Sequence, residues 1–115
     1  MSRRTERIAE QLRAEIARVL RAEVDDPRIG LVTLTRVDVA PDLSHALVFW
    51  STLGAHEDHL EAEDGLESAA PFLRKCLSRT LPLRRAPELR FRHDPSLEQG
   101  AETIALLRTL EDGQT

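Results

Sequence analysis

Aromatic residues are scarce: three phenylalanines, one tryptophan and no tyrosine. Phe49, Trp50, Phe72 and Phe91 are too few for the stacking platform with which many modules hold single-stranded nucleic acid. Cysteine is nearly absent. Cys76 alone excludes an internal disulfide and any multi-cysteine zinc or iron–sulfur site. No apolar run approaches the roughly 18 residues that a membrane-spanning helix needs. The N-terminal stretch MSRRTERIAEQL lacks the apolar core of a secretion signal. A reduced, cytoplasmic domain is the expectation. There is no internal repeat and no low-complexity segment. The 115 residues suffice for one domain that buries roughly two-thirds of its unfolded surface.

Charge is unevenly distributed. The net charge is −4, which argues against a polyanion partner until it is read along the chain. Residues 1–22 carry six arginines against three glutamates, and residues 23–68 carry two arginines against eleven acids. Residues 69–92 then hold Arg74, Lys75, Arg79, Arg84, Arg85, Arg90 and Arg92 against Glu88 alone. Residues 93–115 hold one arginine and five acids. Fifteen of the sixteen basic residues are arginine, a bias that genome base composition explains as readily as phosphate recognition does.

Periodicity sets out the elements. Ile8, Leu12, Ile16, Val19 and Leu20 fall on one helical face, and the helix should end near Val24, ahead of Pro27. Leu31–Val39 is rich in β-branched residues and predicts a strand. Its apolar parity changes between Leu34 and Val37, so a β-bulge near Thr35–Arg36 is expected. Ala40-Pro41-Asp42-Leu43 is a turn with Pro41 preset for its second position. Ser44–Leu53 returns as a strand with Ala46, Val48 and Trp50 on one face and Leu47 and Phe49 on the other. After an acidic loop over 54–64, a helical stripe runs through Leu66, Ala69, Phe72, Leu73, Cys76 and Leu77. Pro71 interrupts it and should kink or split the helix. Glu88-Leu89-Arg90-Phe91-Arg92 alternates as a half-buried strand. Ser96 and Gln99 suggest a capping box for a short tail helix bearing Ile104, Leu107 and Leu110. Gly113-Gln114-Thr115 should be loose. The order is α-β-β-α-(kink)-α-β, an α+β two-layer sandwich with a three-stranded sheet.

Several fragments together then point to a family. Asp26-Pro27-Arg28-Ile29-Gly30-Leu31-Val32-Thr33 leads into Thr35-Arg36-Val37. Pro41-Asp42-Leu43-Ser44-His45-Ala46 follows, then Arg84-Arg85-x-Pro87-Glu88-Leu89-x-Phe91, then Asp94-x-Ser96 with Gly100 and Ile104. Over roughly residues 3–107 the chain resembles ribosome-binding factor A, a bacterial small-subunit assembly factor. The resemblance implies a type II KH-like fold, with a KH-like RNA-binding domain over residues 1–95 and a C-terminal tail over 96–115. It implies a non-catalytic factor without a cofactor, important in the cold. Such a factor binds free small ribosomal subunits transiently and promotes late maturation of their ribosomal RNA. Other assembly factors, a GTPase among them, are candidate partners. A monomer is expected because the topology closes its own core and no heptad seam or long exposed apolar strand demands a partner.

The chain has no Gly-x-x-Gly loop; its glycines are Gly30, Gly54, Gly65, Gly100 and Gly113. The family's Ala-x-Gly helix kink is matched by Ala69-Ala70-Pro71, with proline in place of glycine. Leu47 stands where the family often carries a basic residue. The RNA-binding candidates are therefore Arg74, Lys75, Arg79, Arg84, Arg85, Arg90 and Arg92, with Arg3, Arg4 and Arg7 as a second basic group. A solvated charged face is the competing reading.

Other signals are weaker. His56-Glu57-Asp58-His59 pairs two histidines with two carboxylates but has no third fixed ligand, so no metal is expected. His45 is expected to make a structural hydrogen bond, Cys76 to be a small buried hydrophobe, and Trp50 to anchor the core. No Ser–His–Asp set, phosphate-cradling glycine loop or dinucleotide fingerprint occurs, so no catalytic residue is assigned. A protein–protein module docking through Leu47 and Phe49 is the alternative to RNA binding. A small enzyme using His45, or His56 and His59, comes third.

Overall fold

The computed structural model describes residues 3–30, 32–52 and 58–95. Helix α1 spans Arg3–Ala22, and its stripe buries Ala9, Leu12, Ile16 and Val19. Glu10–Arg13 and Glu15–Arg18 pair along its outer side, each at a spacing of three. The helix stops two residues before the expected Val24. The Glu23 and Val24 amides both bond to the Val19 carbonyl, which closes the last turn. Asp26 then accepts the Arg28 amide, and Gly30 takes a left-handed φ of 55° that glycine adopts without strain.

Strands β1 (Val32–Val39) and β2 (His45–Thr52) form an antiparallel hairpin. Its register shifts between Leu34 and Arg36, where the bulge was expected. Thr35 is the extra residue, and Val37 and Val39 consequently point inward beside Leu34. Thr35 is anchored across the sheet, its hydroxyl donating to Asp94 at 2.7 Å. The Leu43 amide bonds to the Ala40 carbonyl, which closes the expected turn around Pro41. Strand β3 (Glu88–His93) lies parallel to β2 and completes the sheet in the order β1-β2-β3. A parallel pair needs a long crossover, and helix α2 (Asp58–Thr80) supplies it.

Helix α1 packs over β1 and α2 over β3, giving the expected two-layer α+β sandwich. Trp50, Leu12, Ile16, Leu66, Leu73 and Leu77 are its largest fully buried side chains, and Cys76 is buried among them. The sequence expectation differs from the structure at α2. The two helical halves around Pro71 are one helix, Asp58–Thr80. Proline removes a single backbone bond, while Leu66 on one side and Leu73 and Leu77 on the other hold both flanks against the sheet. The helix also begins within the stretch read as an acidic loop, because Glu61, Glu63 and Asp64 sit on its solvent side and mask the apolar period. Phe72, assigned to the apolar stripe, is 39 % exposed.

Gly65 explains how closely α2 can approach the α1–β1 connection. A Cβ there would lie 2.8 Å from Ile29 Cγ1, too close for any side chain without movement. Among the described residues no helix is long and apolar enough to cross a membrane. The capping box at Ser96, the tail helix through Ile104, Leu107 and Leu110, and His56 all lie outside the described residues.

Candidate nucleic-acid interface

The packing of α1 on β1 decides where its N-terminal arginines go. Arg13, Ala17, Leu20 and Val24 share a cleft with Val32–Leu34, while Glu6, Ala9 and Glu10 share one with Thr35–Val37. Helix α1 therefore runs antiparallel to β1. Its first turn, with Arg3, Arg4 and Arg7 exposed, points toward the end of the sheet where β1 finishes and β2 begins. The segment that follows the C-terminal half of α2 reaches the same end: Arg74, Arg84 and Arg85 line a cleft with Asp42–His45 at the β1–β2 turn. The 81–87 connector then delivers β3 with Glu88 beside His45. Two sequence-distant basic groups are thus brought to one end of the molecule.

Their side chains are not equivalent. Lys75, Arg84 and Arg85 are exposed and make no ion pair or hydrogen bond among the described residues. Arg79 is exposed, with one long contact to Cys76 Sγ at 3.8 Å. Arg74 is half-buried and committed to the fold. Its Nε donates to the Pro87 carbonyl at 3.1 Å and its Nη2 to the Ala86 carbonyl at 3.2 Å. It ties α2 to the entry of β3, a role no local sequence signal carries. Arg90 and Arg92 point outward from β3, on the sheet face away from the helices, and Arg90 pairs with Glu88 at 2.9 Å.

Residues that sequence reasoning left out complete this end. A cleft of about 470 Å³ opens between the β1–β2 turn and the 83–88 segment, lined by Asp42, Leu43, Ser44 and His45 opposite Arg74, Arg84 and Arg85. Asp42 Oδ1 accepts both the Ser44 amide at 3.1 Å and the Ser44 hydroxyl at 2.6 Å. These bonds hold the Asp42 carboxyl below its ordinary range. His45 Nδ1 lies 2.8 Å from the Ser44 hydroxyl, and its Nε2 lies 3.3 Å from Glu88. The structural hydrogen bond expected of His45 is therefore present. The signal for the turn was the Asp-x-Ser spacing, which favours a side-chain-to-backbone bond two residues on.

The opposite end is acidic. Glu23, Val24, Asp25 and Asp26 share a cleft with Ser68, Ala69 and Phe72. Arg28 sits among these acids, and its pKa is raised chiefly by the Asp26 hydrogen bond, with smaller pulls from Asp64 and Glu61. Ala69 thus faces carboxylates, Ala70 packs against the core, and Pro71 is exposed.

The outer sheet face also breaks up as a docking surface. Leu47 lies between Asp38 and Arg90 across the strands, and Phe49 lies between Arg36 and Arg92. Arg36 stacks over the Phe49 ring at 4.1 Å. Both apolar side chains are half-buried and bracketed by charges, so they do not merge into one patch. Trp50 is fully buried as the expected anchor, with the His93 ring 4.9 Å and the His59 ring 6.1 Å from it. Among the described residues no group of three or more His, Cys, Asp or Glu side chains is gathered to hold a metal.

Comparison with known proteins gives this arrangement a family. The sequence profile described as Ribosome-binding factor A matches residues 4–107. The ribosome-binding factor A of Nitrosospira multiformis is 46 % identical over 104 residues, covering 90 % of this chain and 82 % of that protein. That of Thioalkalivibrio sulfidiphilus is 43 % identical over 104 residues, covering 90 % of this chain and 81 % of its own. Among solved structures, the crystal structure of ribosome-binding factor A from Thermus thermophilus superimposes with a TM-score of 0.70 at 28 % identity. It covers 77 % of this chain and 93 % of that one. A homology model of the Thermus thermophilus ribosome-binding factor A, fitted into the cryo-electron-microscopy map of a 30S complex, matches with a TM-score of 0.66 at 27 % identity, covering 79 % of this chain and 96 % of that one. With the bulged hairpin and the crossover helix in place, and the family profile matched over residues 4–107, the protein belongs to the ribosome-binding factor A family.

Proposed function

We propose that this protein binds free small ribosomal subunits through its basic end and promotes late maturation of their ribosomal RNA without catalysing a reaction. The observation that carries this reading is the convergence of Arg3, Arg4, Arg7, Lys75, Arg79, Arg84 and Arg85 on one end, with Lys75, Arg84 and Arg85 free of acidic partners among the described residues. Uncommitted guanidinium groups at one end suit a polyanion, because each phosphate neutralised releases condensed counterions. The Thermus thermophilus relative, fitted as a homology model into the map of a 30S complex, supports the same partner.

Such a protein works by binding energy. It stabilises one conformation of immature ribosomal RNA and leaves when the mature form no longer favours it. Arg74 supports the surface from behind, and Arg90 and Arg92 extend it onto β3. The segment Ala69-Ala70-Pro71 enters as architecture: Glu23, Asp25 and Asp26 beside Ala69 favour a cation over a phosphate. The protein acts as a monomer in the cytoplasm, alongside other assembly factors, a GTPase among them. Sedimentation of a cell extract tests the reading. The protein should travel with free small subunits and be depleted from full ribosomes and polysomes. Equal distribution over all ribosomal fractions refutes it.

A further inference from the structure

We propose that the cleft beside the β1–β2 turn seats one unpaired nucleotide of an RNA strand that carries an exocyclic amino group, with Asp42 receiving that group and Arg84 and Arg85 holding the phosphate. This rests on the RNA-binding reading above and names what the basic end recognises.

At about 470 Å³ the cleft falls within the roughly 300–1,000 Å³ typical of small-ligand sites. Its walls divide by chemistry. Leu43, Leu83 and Ala86 offer apolar surface to the face of a base. Arg84 and Arg85 stand exposed at the rim without partners among the described residues. Arg74 is already bonded to the Ala86 and Pro87 carbonyls, so it stiffens one wall.

The turn is built to hold its shape. Leu43 adopts a left-handed φ of 63°, unfavourable for a residue with a Cβ. It is kept there by the Leu43–Ala40 backbone bond and by the two Ser44 bonds to Asp42. Strain of this kind persists where the surroundings over-determine it, and it clusters at ligand clamps.

Asp42 supplies the selectivity. Both Ser44 bonds go to Oδ1, and Oδ2 takes neither. The carboxyl is held in its ionised form by those bonds, so the second oxygen can only accept. An amino group on cytosine or adenine satisfies it. Uracil carries a carbonyl where cytosine carries its amino group, which sets acceptor against acceptor at that position and leaves only the ring N3–H to donate. A duplex cannot offer this edge, because pairing consumes it and the A-form major groove is too narrow for side chains.

The test compares short homopolymeric RNAs of equal length at one low salt concentration. Phosphate contacts are common to all, so only the bases differ. Oligo(C) and oligo(A) should bind about tenfold tighter than oligo(U). Cytosine and uracil form the sharper pair, being nearly equal in size. Asp42→Asn keeps Oδ1 for Ser44 and replaces the other oxygen by a donor; it should bring the three affinities within about twofold. Equal binding of all three RNAs by the parent protein overturns the proposal and leaves the basic-end reading standing. Binding that ignores Arg84→Glu with Arg85→Glu in every RNA overturns both. Adenosine monophosphate binding as tightly as oligo(A) overturns the assignment to an RNA strand.

Discussion

The two ends of the molecule carry opposite charge, yet they differ more in pairing than in sign. At the acidic end the opposing charge is internal: Arg28 is bonded to Asp26, and Arg18 reaches Glu23. At the basic end Lys75, Arg84 and Arg85 have no such partner among the described residues. A single helix spans both. The N-terminal half of α2 holds Glu61, Glu63, Asp64 and Glu67, and its C-terminal half holds Arg74, Lys75 and Arg79. That polarity complements the helix dipole, so part of the segregation serves the helix itself. The dipole does not account for Arg84 and Arg85, which lie beyond the helix. Unpaired charge outside any helix is the part of the pattern that calls for a partner.

The comparison can be broken at its hinge. Leu73 is fully buried at the middle of the shared helix. Leu73→Ala should cost about 2–5 kcal/mol and lower the melting temperature of the whole domain in one transition. Two separate transitions, with the basic end melting apart from the acidic end, would show that the ends are not mechanically one body. A sharper cut leaves the fold intact. Arg84→Glu with Arg85→Glu should weaken small-subunit binding about a hundredfold and flatten its log–log salt dependence by up to about two units. Glu61→Lys with Glu63→Lys, which changes as much charge at the other end, should leave binding nearly unchanged. Equal losses from both pairs would mean that only net charge matters.

The smallest effect is the share of the acid sensitivity that belongs to Asp26 at the acidic end. The Asp26 pKa is lowered, first by the Arg28 side-chain hydrogen bond and then by the Arg28 amide. A depressed carboxyl contributes stability that is present above its unfolded pKa and lost as pH falls through its folded value. Stability should therefore dip slightly on the acid side of the ordinary 3.8 value, and Asp26→Asn should flatten that dip without changing the neutral-pH binding of subunits. Chemical denaturation across that range measures it. A dip unchanged in Asp26→Asn would assign the acid sensitivity elsewhere.

Much of the fold was legible because its signals are local. The parity change from Leu34 to Val37 announced the bulge, and the alternation through Glu88–Arg92 announced which face of β3 is wet. The Asp42-x-Ser44 spacing belongs to a turn whether or not its surroundings are known. The candidate site was legible only as a list of cations, since composition cannot say which guanidinium a carbonyl will claim. Arg74 and Arg84 look alike in sequence, but Arg74 is consumed by Ala86 and Pro87 and Arg84 is not. Phe72 fits the apolar stripe of α2 and is nonetheless partly exposed, because the stripe's width depends on what packs beside it.

By itself the sequence determined the periodicities, the turns and the segregation of charge along the chain, for each depends on neighbours a few residues away. Only the tertiary structure decided that α2 runs unbroken past Pro71. That outcome depends on Leu66, Leu73 and Leu77 being held against a sheet built from residues far away in the chain. The same packing brings Arg3, Arg4 and Arg7 to the end where Arg84 and Arg85 emerge and opens the Asp42 cleft between them and the β1–β2 turn. Long-range antiparallel and crossover packing joins surfaces that no local pattern can relate, and the proposed interface lies where those surfaces meet.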